Sequence, residues 1–242
     1  MARTLSIDIG GSKIKAMVLD AEGTPITERE REKTPKSPTP DAVINIILEL
    51  AAKLGEFDRV SVGFPGAVKA GVIETAPNLG TADWHHFDLE RELASRLGKP
   101  TQVANDATVQ GHGAITGHGV ELVLTLGTGL GTTLFINGIA VPNLELAHHP
   151  FRHGRTYEEM LGRAALERDG EKKWNKRLQQ ALEQLHRLFY YDSVALGGGN
   201  TSVISFDLPA NARIIPNISG ILGGVRLWDA PRPVAQLTGA NH

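Results

Sequence analysis

A chain of 242 residues, 41% hydrophobic and 21% charged with a formal net charge of -2, can bury a sizeable core and exerts no global pull on nucleic acid or an anionic membrane. It contains no cysteine, which excludes disulfides, thiolate metal ligands and cysteine nucleophiles. With neither a charged-then-apolar leader nor an apolar run of about twenty residues, a cytoplasmic protein with no membrane and no nucleic-acid partner is expected.

The opening stretch LSIDIGGSKIKAMVLD alternates like a strand, breaks at Gly10 and Gly11, and resumes its period of two at Ile14, Ala16 and Val18. This pattern predicts a hairpin. A third strand is expected around PITERERE. The segment TPDAVINIILELAAKLG then reads as a helix: Thr39 caps it, Pro40 suits its first turn, Val43, Ile46, Ile47, Leu50 and Leu54 share a face, and Gly55 ends it. DRVSVGFPG is a strand entering a Pro-Gly turn, DLERELASRLGKP a helix closed by Gly98, and TQVAND a strand ending on a polar pair. Strands alternate with helices, which predicts an α/β class.

Sliding the chain by 117 positions lays LSIDIGGSKIKAMVLD over LVLTLGTGLGTTLFIN, with Leu5 on Leu122, Gly10 on Gly127, Val18 on Phe135 and Asp20 on Asn137. Two glycine-interrupted hairpins therefore open two halves of the chain, which predicts a structural duplication. Glycine lets backbone N–H groups converge on phosphate oxygens with no side chain between. Neither loop has the spacing of a P-loop or of a dinucleotide fingerprint, both of which require a helix to follow. Asp8, just before the first turn, would be costly if buried without a partner, and Mg²⁺ on a phosphate chain, held through water, would supply one. Two ordinary tight turns would give the same pattern.

DIGGSKI, GFPGAV, PNL with Trp84, NDA, LGTGLG and LGGGN, in that order over nearly the whole chain, resemble the landmarks of the ROK family of sugar kinases. The resemblance implies the duplicated actin-like, hexokinase-type (ribonuclease H-like) fold, with two lobes around a cleft. The expected division is a small lobe over 1–104, joined by 226–242, and a large lobe over 105–225. PNLELAHH and the helix before DSVALGGGN are most similar to the polyphosphate glucokinases of the family.

The resemblance also implies roles. Gly10, Gly11, Ser12 and Lys13 would hold the terminal phosphates, Asp8 would position Mg²⁺, and Thr128 and Gly129 would grip the donor from the other side. Gly198 and Gly199 lie in the loop that meets the nucleoside in ATP-using relatives, so polyphosphate and ATP both stay open as donors. Gly66 and Asn105 would contact the sugar, and Asp106, at the end of an apolar strand, would be the catalytic base. Without the resemblance, the Asn105–Asp106 pair reads as a helix cap. Glu145 and His148, three apart, suit vicinal hydroxyls; a metal site of His148, His149 and His153 is the weaker reading, and no zinc is expected. Ala147 stands where such relatives carry glycine, which puts the path of that loop in question. Glu158 matches a sugar-binding glutamate, with Glu159 as the obvious misassignment. Lys172, Lys173, Lys176 and Arg177 open a long amphipathic helix, where cations oppose the macrodipole; a solvated face is the first reading and a polyphosphate partner the second. The expected activity is transfer of a phosphoryl group to the 6-hydroxyl of glucose or a related hexose by a homodimer. A strictly ATP-dependent kinase for another hexose and a non-catalytic sugar-binding regulator are the alternatives.

Overall fold

The computed structural model describes residues 1–141, 144–216 and 219–229. The chain forms two compact units, Met1–Gly113 with the C-terminal residues 219–229, and Ala114–Asn217. The first unit opens with β1 (Thr4–Ile9), β2 (Lys13–Leu19), β3 (Glu30–Lys33), α1 (Pro40–Leu54) and β4 (Arg59–Phe64). A small sheet of β5 (Val68–Lys69), β6 (Val72–Ile73) and β7 (Phe87–Asp88) follows, with α2 (Thr81–Trp84) inserted before β7. Then come α3 (Leu89–Leu97), β8 (Thr101–Asn105) and α4 (Asp106–His112). The main sheet has the order β3-β2-β1-β4-β8.

Helix α1 forms as its sequence dictates. Thr39 accepts from the Ala42 amide at 3.4 Å, and Gly55 ends the helix at φ 83°. Its buried face is Val43, Ile44, Ile47, Leu50, Ala51 and Leu54, with Ile46 at the edge of the stripe. Trp84 is fully buried against Phe64 and Phe87, and its Nε1 donates to the Pro38 carbonyl at 2.8 Å. The third strand starts later than the sequence suggests. Ile26 and Thr27 both donate to Val18 O, while the Thr27 hydroxyl accepts from Val18 N. This bulged contact leaves only an isolated bridge at Pro25, and the ladder resumes at Glu30.

The second unit contains β9 (Val120–Leu126), β10 (Leu130–Ile136), β11 (Ile139–Ala140) and a ribbon of β12 (Pro150–Arg152) and β13 (Arg155–Thr156). These precede α5 (Tyr157–Leu161), α6 (Arg163–Asp169), α7 (Glu171–Phe189), β14 (Ser193–Gly197) and β15 (Ala212–Ile214). Its sheet has the order β11-β10-β9-β14-β15. The two sheets share one plan: two antiparallel pairings followed by two parallel ones. Trp174, Leu178, Ala181, Leu182 and Leu185 bury one face of α7.

The duplicated hairpins differ by one residue. Ile9 pairs with Ile14 across the first loop, whereas Leu126 pairs with Leu130 across the second. The shift of 117 therefore holds for the first arms only, and Val18 corresponds to Leu134 rather than to Phe135.

The units also divide elsewhere than at 104 and 225. Helix α4 packs on β4, where Gly63 lies against Asp106, and α8 (Ser219–Arg226) returns to the first unit. The first unit is thus the larger. Of the expected joining segment 226–242, residues 230–242 lie outside the described residues. On α8, the Ile221 and Gly224 carbonyls accept from the Ser6 and Ser61 hydroxyls at 2.6 Å, and Trp228 Nε1 donates to Ser61 Oγ at 2.8 Å. Gly223 approaches so closely that a Cβ would overlap the Val109 carbonyl.

Glu121 is an anchor of the second unit with no sequence signal. Only 2% exposed, its carboxylate accepts from Thr116 N (2.9 Å) and Gly117 N (2.7 Å) and lies 3.9 Å from Arg213. Burial pushes its pKa up, but these amides and the Thr116 and Ser193 hydroxyls outweigh that and hold it below 4.5. A lowered folded-state pKa gives stability that is present above the unfolded value and lost as pH falls through the folded one. Urea midpoints at neutral pH and below pH ~4 should therefore fall less steeply in Glu121→Gln than in the parent chain.

Candidate active site

The two glycine hairpins solve the same backbone problem in parallel. Gly10 N donates to Lys13 O at 3.0 Å, and Gly127 N to Gly129 O at 3.1 Å. Among the described residues, the next two amides of each loop, Gly11 and Ser12 in one and Thr128 and Gly129 in the other, donate to no protein acceptor. Consecutive free amides in a tight turn form an anion-binding concavity.

In the first unit the loop is pinned by β3. Thr34 Oγ1 donates to Gly10 O at 2.6 Å and Thr34 N to Ser12 O at 3.1 Å. A Cβ on Gly11 would lie 3.3 Å from Asn78, so the PNL segment flanks this loop. Asp8 has a protein partner: Lys15 Nζ sits 2.6 Å from its Oδ2. Asp8 therefore needs no metal to offset its charge. Its Oδ1 has no protein donor among the described residues, which leaves room for a metal-bound water.

Asn105 is the cap of α4. Its Oδ1 accepts from Ala107 N (2.9 Å) and Thr108 N (3.3 Å), and its Nδ2 donates to Gly66 O at 3.0 Å. One Nδ2 hydrogen remains for a ligand. Gly66 must lack a side chain, because a Cβ there would overlap the Thr75 carbonyl. Asp106, half-buried on the first turn of α4, accepts from Ala107 N at 2.7 Å through Oδ1. The capping role thus falls mainly on Asn105, and Asp106 adds a second acceptor to the same amide.

In the second unit the structure brings together five residues that the sequence scatters over 72 positions, from Thr128 and Gly129 through Glu158 to Gly198 and Gly199. Glu158 Oε2 accepts from Leu130 N at 3.1 Å and occupies the space a Cβ on Gly129 would need. Arg163 N donates to Gly127 O at 2.9 Å, as does Asn200 Nδ2 at 3.0 Å. Gly198, at φ 89°, lies where a Cβ would overlap Leu126 O, and Gly199 lies beside the Arg163 guanidinium. Sequence reasoning gave no role to Arg163, nor to Asn200 at the end of LGGGN, since holding a distant loop carbonyl is not a local signal.

Glu159, next to Glu158, is engaged in capping the helix. Glu159 exchanges hydrogen bonds with Thr156, accepting from its N at 2.8 Å and donating its own amide to Thr156 Oγ1 at 3.2 Å. Glu145 and His148 lie side by side, with His148 Nε2 3.6 Å from Glu145 Oε2. The left-handed residue in this turn is Glu145 (φ 44°), not Ala147, which is buried without strain. Pro142 and Asn143 of the same segment lie outside the described residues.

Among the described residues, His148, His149 and His153 form no ligand cluster. The group that could take a divalent cation is Glu74, His85 and His86, with ligand atoms all within 4.8 Å of one another. The adjacent histidines after Trp84 were its only trace in the sequence. At the start of α7, Arg177 is held by Asp169 at 2.7 Å. No helix of the described residues is long and apolar enough to cross a membrane.

Comparison with known proteins places these features in a family. A profile of the ROK family matches residues 4–143. The polyphosphate glucokinase of Mycobacterium tuberculosis is 29% identical over 90% of this chain and 88% of its own. That of Mycobacterium leprae is 30% identical over 91% of this chain and 73% of its own. The crystal structure of inorganic polyphosphate/ATP-glucomannokinase from Arthrobacter sp. strain KM superposes with a TM-score of 0.82 at 31% identity, covering 93% of this chain and 97% of that one. A ROK family glucokinase from Streptomyces griseus, at 21% identity and a TM-score of 0.79 over 93% of this chain and 98% of that one, shares the fold. With hexokinase-type topology in both units, a profile spanning more than half its length and these relatives, the chain belongs to the ROK family, as a sugar-kinase phosphotransferase similar to the bacterial polyphosphate and ATP glucokinases.

Proposed function

We propose that the chain is a glucokinase that transfers the terminal phosphoryl group of inorganic polyphosphate or ATP to the 6-hydroxyl of glucose, acting as a cytoplasmic homodimer. The observation that carries this reading is the repeated glycine hairpin with two free amides per loop, one loop beside Asn78 and the other beside Glu158.

In this mechanism the loop amides of Gly11 and Ser12, with Lys13, hold the terminal phosphates, and those of Thr128 and Gly129 grip the donor from the other side, with Gly198 and Gly199 fixing the second loop from behind. Asn105, Glu145, His148 and Glu158 bind sugar hydroxyls, and Gly66 sets the Asn105 side chain through its carbonyl. The Asp106 carboxylate accepts the proton of the 6-hydroxyl as its oxygen bonds to the terminal phosphorus and the bond from that phosphorus to the bridging oxygen breaks, the bridging oxygen leaving with the shortened donor. Asp8 would hold Mg²⁺ through water at its Oδ1; when bound, the ion neutralises charge that builds up on the phosphate oxygens. Positioning and electrostatics supply most of the acceleration.

The test is a coupled glucose 6-phosphate assay with magnesium, run with ATP and with long-chain polyphosphate, on glucose and on mannose. Turnover of glucose is expected with both donors. A chain that binds glucose yet phosphorylates no hexose from either donor would be a sugar-binding regulator instead.

A further inference from the structure

Strands β2 and β3 pair so that Lys13 stands opposite Lys33, and Lys15 opposite Arg31. Residues directly opposite share a face of a sheet, as do residues two apart on one strand. All four cations therefore occupy one face, the face that Asp8 reaches through its pairing with Lys15. The other face carries Ile14 and Ala16, both buried, with Glu32 bonded to Lys53 of α1.

Like charges placed directly opposite destabilise a ladder. Lys15 has Asp8 to offset it. Among the described residues, Lys13, Arg31 and Lys33 have no ion-pair partner, and all three are exposed. Charge on an edge strand commonly blocks pairing with another sheet, and β3 is the edge. That accounts for Arg31 and Lys33. It does not account for the cations opposite them on the interior strand β2, since either sign blunts an edge.

The four positions also continue the first phosphate loop. Lys13 directly follows Ser12, and Thr34, next to Lys33, is bonded to both Gly10 and Ser12. Lys15 and Arg31 stand one strand repeat further on, about 7 Å along the sheet. A nucleoside triphosphate ends its charge at the third phosphate and continues as a neutral sugar and base. A linear phosphate chain carries charge on every unit.

We propose that Lys33, Lys15 and Arg31, leading on from Lys13, form a track that binds the part of an inorganic polyphosphate chain beyond the reacting units. This rests on the donor assignment made above. The track selects for length and charge, and it makes polyphosphate the donor to which this chain is fitted.

The experiment uses the full chain and its Arg31→Gln/Lys33→Gln double variant, whose altered side chains are exposed and leave the core untouched. Affinity for end-labelled long-chain polyphosphate is titrated without glucose at several salt concentrations, and KM is measured for polyphosphate and for ATP. The expected result is polyphosphate affinity about tenfold weaker in the variant, with a shallower salt dependence, while the KM for ATP moves less than about twofold. Unchanged polyphosphate affinity overturns the proposal, and so does an equal loss for ATP. Tight binding of a single-stranded DNA of matched charge, weakened to the same extent, also overturns it in favour of an unselective cationic surface. Absence of glucose phosphorylation with every donor would defeat the glucokinase reading alone, because the direct titration still decides the track.

Discussion

Asp106→Asn lowers kcat for glucose phosphorylation by about two to four orders of magnitude and leaves the affinity for glucose within about threefold. The substitution separates the two roles open to this side chain. Asparagine keeps an oxygen in place of Oδ1, so the hydrogen bond from Ala107 N at 2.7 Å survives. Asn105 supplies the main cap in any case. If position 106 only caps α4, the variant behaves as the parent does in both turnover and urea unfolding. If it accepts the hydroxyl proton, an amide cannot, and turnover collapses in a chain of unchanged stability. Steady-state kinetics beside a denaturation curve distinguishes the outcomes, and near-normal kcat removes Asp106 from the chemistry.

Gly223→Ala lowers the unfolding free energy of the first unit by about 3 kcal/mol, read as a drop in urea midpoint. Alanine in a helix interior ordinarily gains about 1 kcal/mol over glycine, so the sign has to be argued. Here the new methyl group would overlap the Val109 carbonyl and come within 2.7 Å of Gly113 N, both backbone atoms of the α4 region that no rotamer change can move. Helix α8 must back away, and the Ser6 and Ser61 bonds to its carbonyls stretch with it. Gly224→Ala meets the Ser6 and Ser61 side chains instead, and Ser6 can rotate. The expected loss there is smaller. A stability equal to or above the parent in Gly223→Ala would mean that the α4–α8 contact is loose.

Much of the fold was legible because local chemistry and tertiary structure agree. The Thr39–Pro40 start and Gly55 stop of α1, the stripe on α7 and both glycine hairpins are short-range signals. The missing pieces depend on contacts outside the local pattern. The start of β3 depends on how Thr27 and Ile26 bond to Val18, which period-two alternation does not encode. The division between units depends on α4 packing under α8 through Gly223, a contact between residues more than a hundred positions apart. In the site, the sequence offers as candidates only residues that lie in motifs, the glycines and carboxylates among them. The capping geometry that assigns Glu159 to Thr156 and frees Glu158 for the loop required coordinates, as did the Lys15 partner of Asp8 and the Glu74, His85 and His86 group.

The one-residue difference between the two loops limits how the halves can be recombined. A chimera that splices the arm Lys13–Leu19 after the Gly127–Gly129 turn, in the numbering that matches the first arms, begins its strand one step out of phase. Every side chain of the graft then moves to the opposite face of the sheet, so that Ala16 and Val18 take the buried positions of Thr133 and Phe135 instead of those of Thr132 and Leu134. Deleting a single loop residue from the graft restores the phase, so insertion and deletion variants at this turn are a sensitive probe of whether the two halves remain interchangeable parts.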